Sequence, residues 1–244
     1  MRLAVISDVH GNTLALDAVL DAVLDDIGRQ GAEAILCLGD HVSGPVDPAG
    51  AAERLMALGG ASIRGNHDRW TLDLSLTGSG KIDAFARSKL SEPQLAWLAA
   101  LPATLQHDDR IFLCHGTPVD DETPWLDQFY CGRTATLPSE AQVTDIAAAL
   151  DYELLLCGHT HIPRSVRLAD GRVIVNPGSI GMQLVRGSPD ARYAIIERRS
   201  AGWYTTLLAV PYDHEAAARL AAGNGFPQWA ASLTSGWVGP ESLG

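Results

Sequence analysis

The chain has no C-x-x-C pair, no apolar run near the length of a membrane span, and a shortage of basic residues. Each absence removes a class of function. Cys37, Cys114, Cys131 and Cys157 are scattered singly, and three of them sit inside apolar runs ("ILCLGD", "FLCHG", "LLCGH"). That pattern suits small buried hydrophobes in a reducing compartment. A bilayer crossing needs about 20 apolar residues, and the N-terminus "MRLAVISDVHGN" turns polar too soon for a signal peptide. A cytoplasmic protein without membrane contact is expected. Lys plus Arg is 18 against 29 for Asp plus Glu, a net charge of −11 over 244 residues. This argues against a sequence-independent grip on DNA or RNA, which needs a basic face, and is compatible with carboxylates that cations neutralise. Repeats, low-complexity tracts and linkers are also missing. A single domain over 1–244 is therefore expected, its tail from about 213 packing on the rest.

What remains is an alternation of short apolar runs with helical patterns. "LAVIS" (Leu3 to Ser7) has the length and content of a buried strand. Leu16, Leu20, Val23, Leu24 and Ile27 then recur at helical spacing, and "GRQG" closes the helix. "AILCLG" is a second strand, "AERLMAL" a second helix and "ASIRG" a third strand, a β-α-β repeat that favours a mainly parallel sheet. Ser91 with Gln94 and Ser139 with Gln142 are capping-box pairs ahead of two further helices. "ATLQHDDRIFLCHG" reads as two strands about Asp108-Asp109, and "RSVRL", "RVIVNPGS", "RYAIIE" and "WYTTLLAV" as antiparallel hairpins, with Asp-Gly as the strongest turn signal. The two halves together suggest a layered α/β domain, two sheets face to face with helices outside. Residues 118–138 form an irregular excursion whose Trp125, Phe129 and Tyr130 suit a lid, a base-stacking surface or plain packing. Trp229 and Trp237 in the tail are expected as core cover.

The polar residues carry the chemistry. "LAVIS" runs into Asp8 and His10, "AILCLG" into Asp40, and "ASIRG" into Asn66, His67 and Asp68. "IFLC" runs into His115, and "LLLCG" into His159 and His161. In open α/β sheets ligands bind beyond the carboxyl ends of strands. Asp8 alone could be a helix cap and His67 alone a turn residue, but metal-type side chains at five successive strand ends point to a metal site. In an extended segment residues i and i+2 face one side, so His159 and His161 can approach one target or two adjacent ones. Asn12 is read as a helix cap, and His41, His107 and His214, which lack a motif, as surface residues.

Asp8-x-His10, "GD" at Asp40, "GNHD" at Gly65 to Asp68, "HG" at His115 and "GHTH" at Gly158 to His161 resemble, in kind and order, the calcineurin-like metallophosphoesterases. "NPGS" (Asn176 to Ser179) is similar to the small bacterial and archaeal phosphodiesterase branch. The resemblance runs to about Ser179, and the following hairpins fit the family's second sheet. It implies a four-layer α-β-β-α sandwich of two mixed sheets flanked by helices. It also implies two metals about 3.5–4 Å apart. Asp8, His10 and His161 would hold the first, Asn66, His115 and His159 the second, and Asp40 would bridge them. Nitrogen and oxygen donors without thiolate suit Mn²⁺, Fe or Zn²⁺.

The implied reaction is hydrolysis of a small phosphodiester, nucleotide-like ones among the candidates, the ions supplying hydroxide that attacks phosphorus in line. His67, without a metal, is implied to protonate the leaving group or to stabilise the transition state. Arg64 and Arg69, flanking "GNHD", are the nearest cations for phosphate, as they are for an ordinary surface role. The protein-phosphatase branch carries an Asp and an Arg after "GD"; here Ser43 and Gly44 stand there, which speaks against that branch. A phosphomonoesterase, a nucleotide pyrophosphatase, and a non-catalytic scaffold such as the retromer subunit of this fold are the alternatives. Retention of all seven ligands and His67 favours an enzyme.

Overall fold

The computed structural model describes residues 1–30, 32–130 and 134–237. Cys131 lies outside them. In chain order the first half reads β1 (Arg2–Ile6), α1 (Thr13–Gln30), β2 (Ala34–Cys37), α2 (Pro48–Leu58), β3 (Ala61–Ser62), α3 (Asn66–Leu72), α4 (Lys81–Lys89), α5 (Glu92–Ala100), β4 (Leu105–Asp108) and β5 (Ile111–Leu113). The second half reads β6 (Gln128–Tyr130), β7 (Thr134–Thr136), α6 (Glu140–Ala147), β8 (Leu154–Leu156), β9 (Arg164–Arg167), β10 (Val173–Asn176), β11 (Ala191–Arg199), β12 (Gly202–Val210), α7 (His214–Gly223), a 3₁₀ turn (Pro227–Trp229) and α8 (Ala230–Ser235).

Two five-stranded mixed sheets form, ordered β12-β11-β1-β2-β3 and β4-β5-β8-β10-β9. Side-chain alternation along each strand decides what each face packs on. Leu3 and Val5 of β1 meet Leu113, Leu154, Leu156 and Val175 of the other sheet, while Ala4 and Ile6 turn outward onto Leu16, Val19 and Val23 of α1. On the far side Leu155 and Ile174 pack on Val143 and Ala147 of α6. The result is the four-layer α-β-β-α sandwich. Truncating one of these buried leucines to alanine removes contacts worth about 2–5 kcal/mol.

The local signals behave as written in the sequence. Gln142 N–H donates to Ser139 Oγ at the start of α6, and Ala15 N–H donates to Asn12 Oδ1, so Asn12 caps α1. Five expectations need correction. α1 ends at Gln30, inside "GRQG" as expected, but Leu24, placed with its apolar face, is exposed on the outer side. The third strand is only two residues: Ile63 N–H still reaches Cys37 O, but the next N–H, of Arg64, turns to Pro102 O. The hairpins divide: β9 and β10 lie in the second sheet, but β11 pairs antiparallel with β1 and carries β12 into the first sheet. β11 is apolar on both faces, and only the slot beside β1 covers both. Trp229 is buried as expected, whereas Trp237 is 58% exposed. His41, expected at the surface, is fully buried against Asp68.

Candidate metal centre

The carboxyl ends of β1, β2, β3, β5 and β8 converge. Asp8, His10, Asp40, Asn66, His115 and His161 are all buried there. Ligand atoms of Asp8, His10, Asp40 and His161 lie within 4.8 Å of one another. His10 Nε2 stands 3.2 Å from His161 Nε2, and His161 Nε2 stands 3.3 Å from Asp8 Oδ1. On the other side His115 Nε2 is 3.2 Å from Asp40 Oδ2, and His159 Nδ1 is 3.1 Å from Asn66 Oδ1. Two donor atoms about 3 Å apart is the separation expected of neighbouring ligands on one ion with bonds of about 2.1 Å.

The backbone is bent to make this happen. Asp8, His10, Asp40, His159 and His161 have φ between 45° and 67°, and they are the only non-glycine residues with positive φ among those described. Each such conformation costs on the order of 1–3 kcal/mol and persists only where neighbours enforce it. At Asp8 and in the loop that carries His159 and His161, enforcing contacts come from "NPGS". Asn176 Nδ2 donates to Gly158 O at 2.6 Å, and Ser179 Oγ donates to Asp8 O at 2.8 Å. Gly158 itself has no room for a side chain, since a Cβ there would lie 2.2 Å from Ser7 Oγ. Gly44 is tighter still, its Cβ position falling 1.6 Å from His10 O. Gly44 therefore cannot be the cationic residue of the protein-phosphatase branch without moving a metal-type histidine.

Imidazole orientation is also set. Nδ1 of His10, His115 and His161 lies 2.6 to 2.7 Å from Ser43 O, Leu38 O and Met182 O. Carbonyls only accept, so each Nδ1 carries the proton and each Nε2 faces the centre, the arrangement outer partners impose on ligating histidines. Burial, with His161 next to it, pulls the His10 pKa down to about 4. Burial and the charge of His115 pull His159 down to about 4. Both are therefore neutral donors at pH 7. Burial opposes the charges of Asp8 and Asp40, but His161 for the former and His115 for the latter outweigh it and hold both carboxyls ionised.

Both oxygens of Asp8 and Oδ2 of Asp40 are buried and accept no hydrogen bond. Isolated buried carboxylates are expensive to keep. Converging ionised oxygens with imidazole nitrogens aimed at them answer that cost if cations sit between them. The donor set fits divalent metal.

Of the two flanking arginines, Arg69 is engaged elsewhere: its guanidinium binds Asp121 at 2.7 and 2.9 Å and Glu122 at 2.7 Å, tying α3 to the start of the excursion. Arg64 is half-buried, its backbone N–H held by Pro102 O. Trp125 in the excursion is core, while the side chains of Phe129 and Tyr130 lie outside the described set. Two residues escaped sequence reasoning. Asp68 accepts from the backbone N–H of Asp40, His41 and Gly65, welding two loops of the site together. Asp83, on α4, reaches His67. The terminal Asp of "GNHD" was visible as a motif letter only, and nothing in the sequence marked Asp83.

A fold of two facing mixed sheets with this Asp/His cluster at their strand ends defines a metallophosphoesterase class. The calcineurin-like phosphoesterase superfamily domain matches residues 1–201, and the chain belongs to that superfamily. An uncharacterised protein of Methanocaldococcus jannaschii is 29% identical, over 93% of this chain and 94% of its own. A metallophosphoesterase of Sphaerobacter thermophilus superposes with TM-score 0.76 at 27% identity, covering 97% of this chain and 99% of that one. A hypothetical protein of Pyrococcus horikoshii shares the fold with TM-score 0.79 at 21% identity, covering 98% and 99%. Among the described residues no helix is long and apolar enough to cross a membrane.

Proposed function

We propose that the chain is a two-metal hydrolase of a small phosphodiester. Asp8, His10 and His161 would hold one ion, Asn66, His115 and His159 the other, with Asp40 between them. The observation that carries this reading is the set of buried, ionised, unbonded carboxylate oxygens of Asp8 and Asp40 among histidine nitrogens aimed at them. When bound, Mn²⁺, Fe or Zn²⁺ ions would acidify a water and neutralise charge building on the phosphoryl oxygens.

The protein's own residues supply orientation and a proton. His67 is 25% exposed at its side chain, more open than the buried His10, His115 and His161, and its backbone N–H binds Asp40 Oδ1 at 2.9 Å. Burial would lower its pKa, but Asp40 and Asp83 outweigh burial and raise it, which favours a proton on the ring at neutral pH. A protonated imidazole beside the bridging carboxylate suits donation to a leaving alkoxide. Arg64 is the better of the two candidate phosphate cations, because the charge of Arg69 is already met by two carboxylates. The acidic balance of the chain supports a small substrate over a nucleic-acid polymer.

The test is hydrolysis of bis(nitrophenyl) phosphate and of nitrophenyl phosphate, each with added Mn²⁺ and with chelator. Metal-dependent turnover favouring the diester is expected. A preference for the monoester would overturn the diester assignment. No metal-dependent turnover of either would favour a binding scaffold.

A further inference from the structure

We propose that Asp83 is the positioning residue for His67. It takes up Nδ1 and so leaves Nε2 as the nitrogen that meets the substrate. The inference rests on the reading of His67 as a group that acts on substrate.

Asp83 is fully buried in the first turn of α4. Its Oδ2 accepts the backbone N–H of Gly80 at 2.7 Å, which anchors one side of the carboxylate to the helix start. Its Oδ1 accepts Ser43 Oγ–H at 2.6 Å and lies 2.9 Å from His67 Nδ1. Closing the helix start alone requires none of this: Gln94 in α5 and Gln142 in α6 accept the matching backbone N–H of Ser91 and Ser139 while half-buried and exposed. A carboxylate taken out of water is costly unless paired, and His67 is the pairing partner here. The ring is held on its other sides by Trp70 and His10, with centroids 4.6 and 5.2 Å away. With Nδ1 taken, Nε2 is the free nitrogen.

Ser43 therefore does not replace the carboxylate that the protein-phosphatase branch has near this position. Its hydroxyl sits 3.4 Å from His67 Nδ1 and turns to Asp83 instead. The support for the histidine comes from a different element, 16 residues beyond it in the chain.

The experiment is a double-mutant cycle on the metal-loaded protein with an alkyl-leaving phosphodiester, plus ¹⁵N-histidine NMR on metal-free protein. Asp83→Asn preserves volume and an acceptor for Gly80 but sets an amide N–H against Nδ1. It should lower kcat on the order of 10–100-fold, as loss of other partners that orient an imidazole does. Metal content should stay at the wild-type level and KM should change little. In the His67→Ala background the same change should cost almost nothing, because its effect passes through the ring. The His67 ¹⁵N pattern should shift in Asp83→Asn while those of His10 and His161 stay in place. An equal loss in both backgrounds, or an unchanged His67 pattern, overturns the proposal. If Asp83→Asn unfolds, Ser43→Ala, which removes one partner of the same oxygen, should show a smaller loss with the same dependence on His67. A harmless His67→Ala would instead defeat the proposed role of His67, and the NMR pattern would still decide whether Asp83 holds the ring.

Discussion

At the scale of single residues, the site is a set of side chains whose neighbours leave them no other use. Asp40 shows this most directly. Its Oδ1 is committed to the backbone N–H of His67, and its Oδ2 faces His115 with no hydrogen bond. If Asp40 stands between two ions as proposed, a neutral amide there is a poor bridge, and Asp40→Asn should lose at least one ion per chain by elemental analysis. Turnover should fall by more than the roughly 100-fold seen when outer partners are removed. Two retained metals with a normal rate would refute the bridging assignment. The seven metal-type residues and His67 were legible because their identities are unusual at strand ends. His41 was not legible. An imidazole without a motif is ordinarily solvated, and only the backbone path of the loop after β2 buries it beside Asp68. Asp83 was hidden for the same reason: its meaning depends on a histidine it meets only after folding.

Among elements, what could be read from sequence were those governed by local rules. The capping pairs at Ser91 and Ser139 mark α5 and α6 as expected. Replacing Ser139 by Ala removes the acceptor of the Gln142 N–H and should destabilise the fold by about 1 kcal/mol. Urea unfolding would read this as a lower midpoint at unchanged slope, and an unaltered midpoint would mean that the cap contributes nothing. α3 and α4 went unread. α3 is seven residues long and begins inside the "GNHD" motif, and α4 spans nine residues with as many charged as apolar side chains. Patterns that short stand out weakly, although Ile82, Phe85 and Ala86 do fall at helical spacing. The partition of the hairpins between sheets was equally hidden, because β11 finds β1 across almost the whole chain and no local signal encodes that pairing.

For the whole molecule, burying the centre ties stability to pH. His10 and His159 drop to about 4 in the folded protein from an ordinary 6.5, so the unfolded chain binds two protons that the folded one refuses between those values. Each refused proton lowers stability by about 1.4 kcal/mol per pH unit as the pH falls through that window. His67, His41 and His115 are shifted upward, so their contribution is fully present below 6.5 and adds no slope there. The carboxyls of Asp8 and Asp40 are shifted downward, and their contribution is lost only below the ordinary 3.8. In chelator, the melting temperature should therefore decline from pH 6.5 toward pH 4. A flat melting temperature over that range would show that the two imidazoles are not buried neutral. The sequence by itself determined the β-α-β alternation, the caps, and the order of metal-type residues at strand ends, because helix and strand periods and the chemistry of donor atoms are local properties. Only the tertiary structure decided that β11 completes the first sheet, that Arg69 is engaged by carboxylates, and that His67 leans on Asp83. Those depend on which distant groups share one low-dielectric space, and closure of the sandwich creates that space.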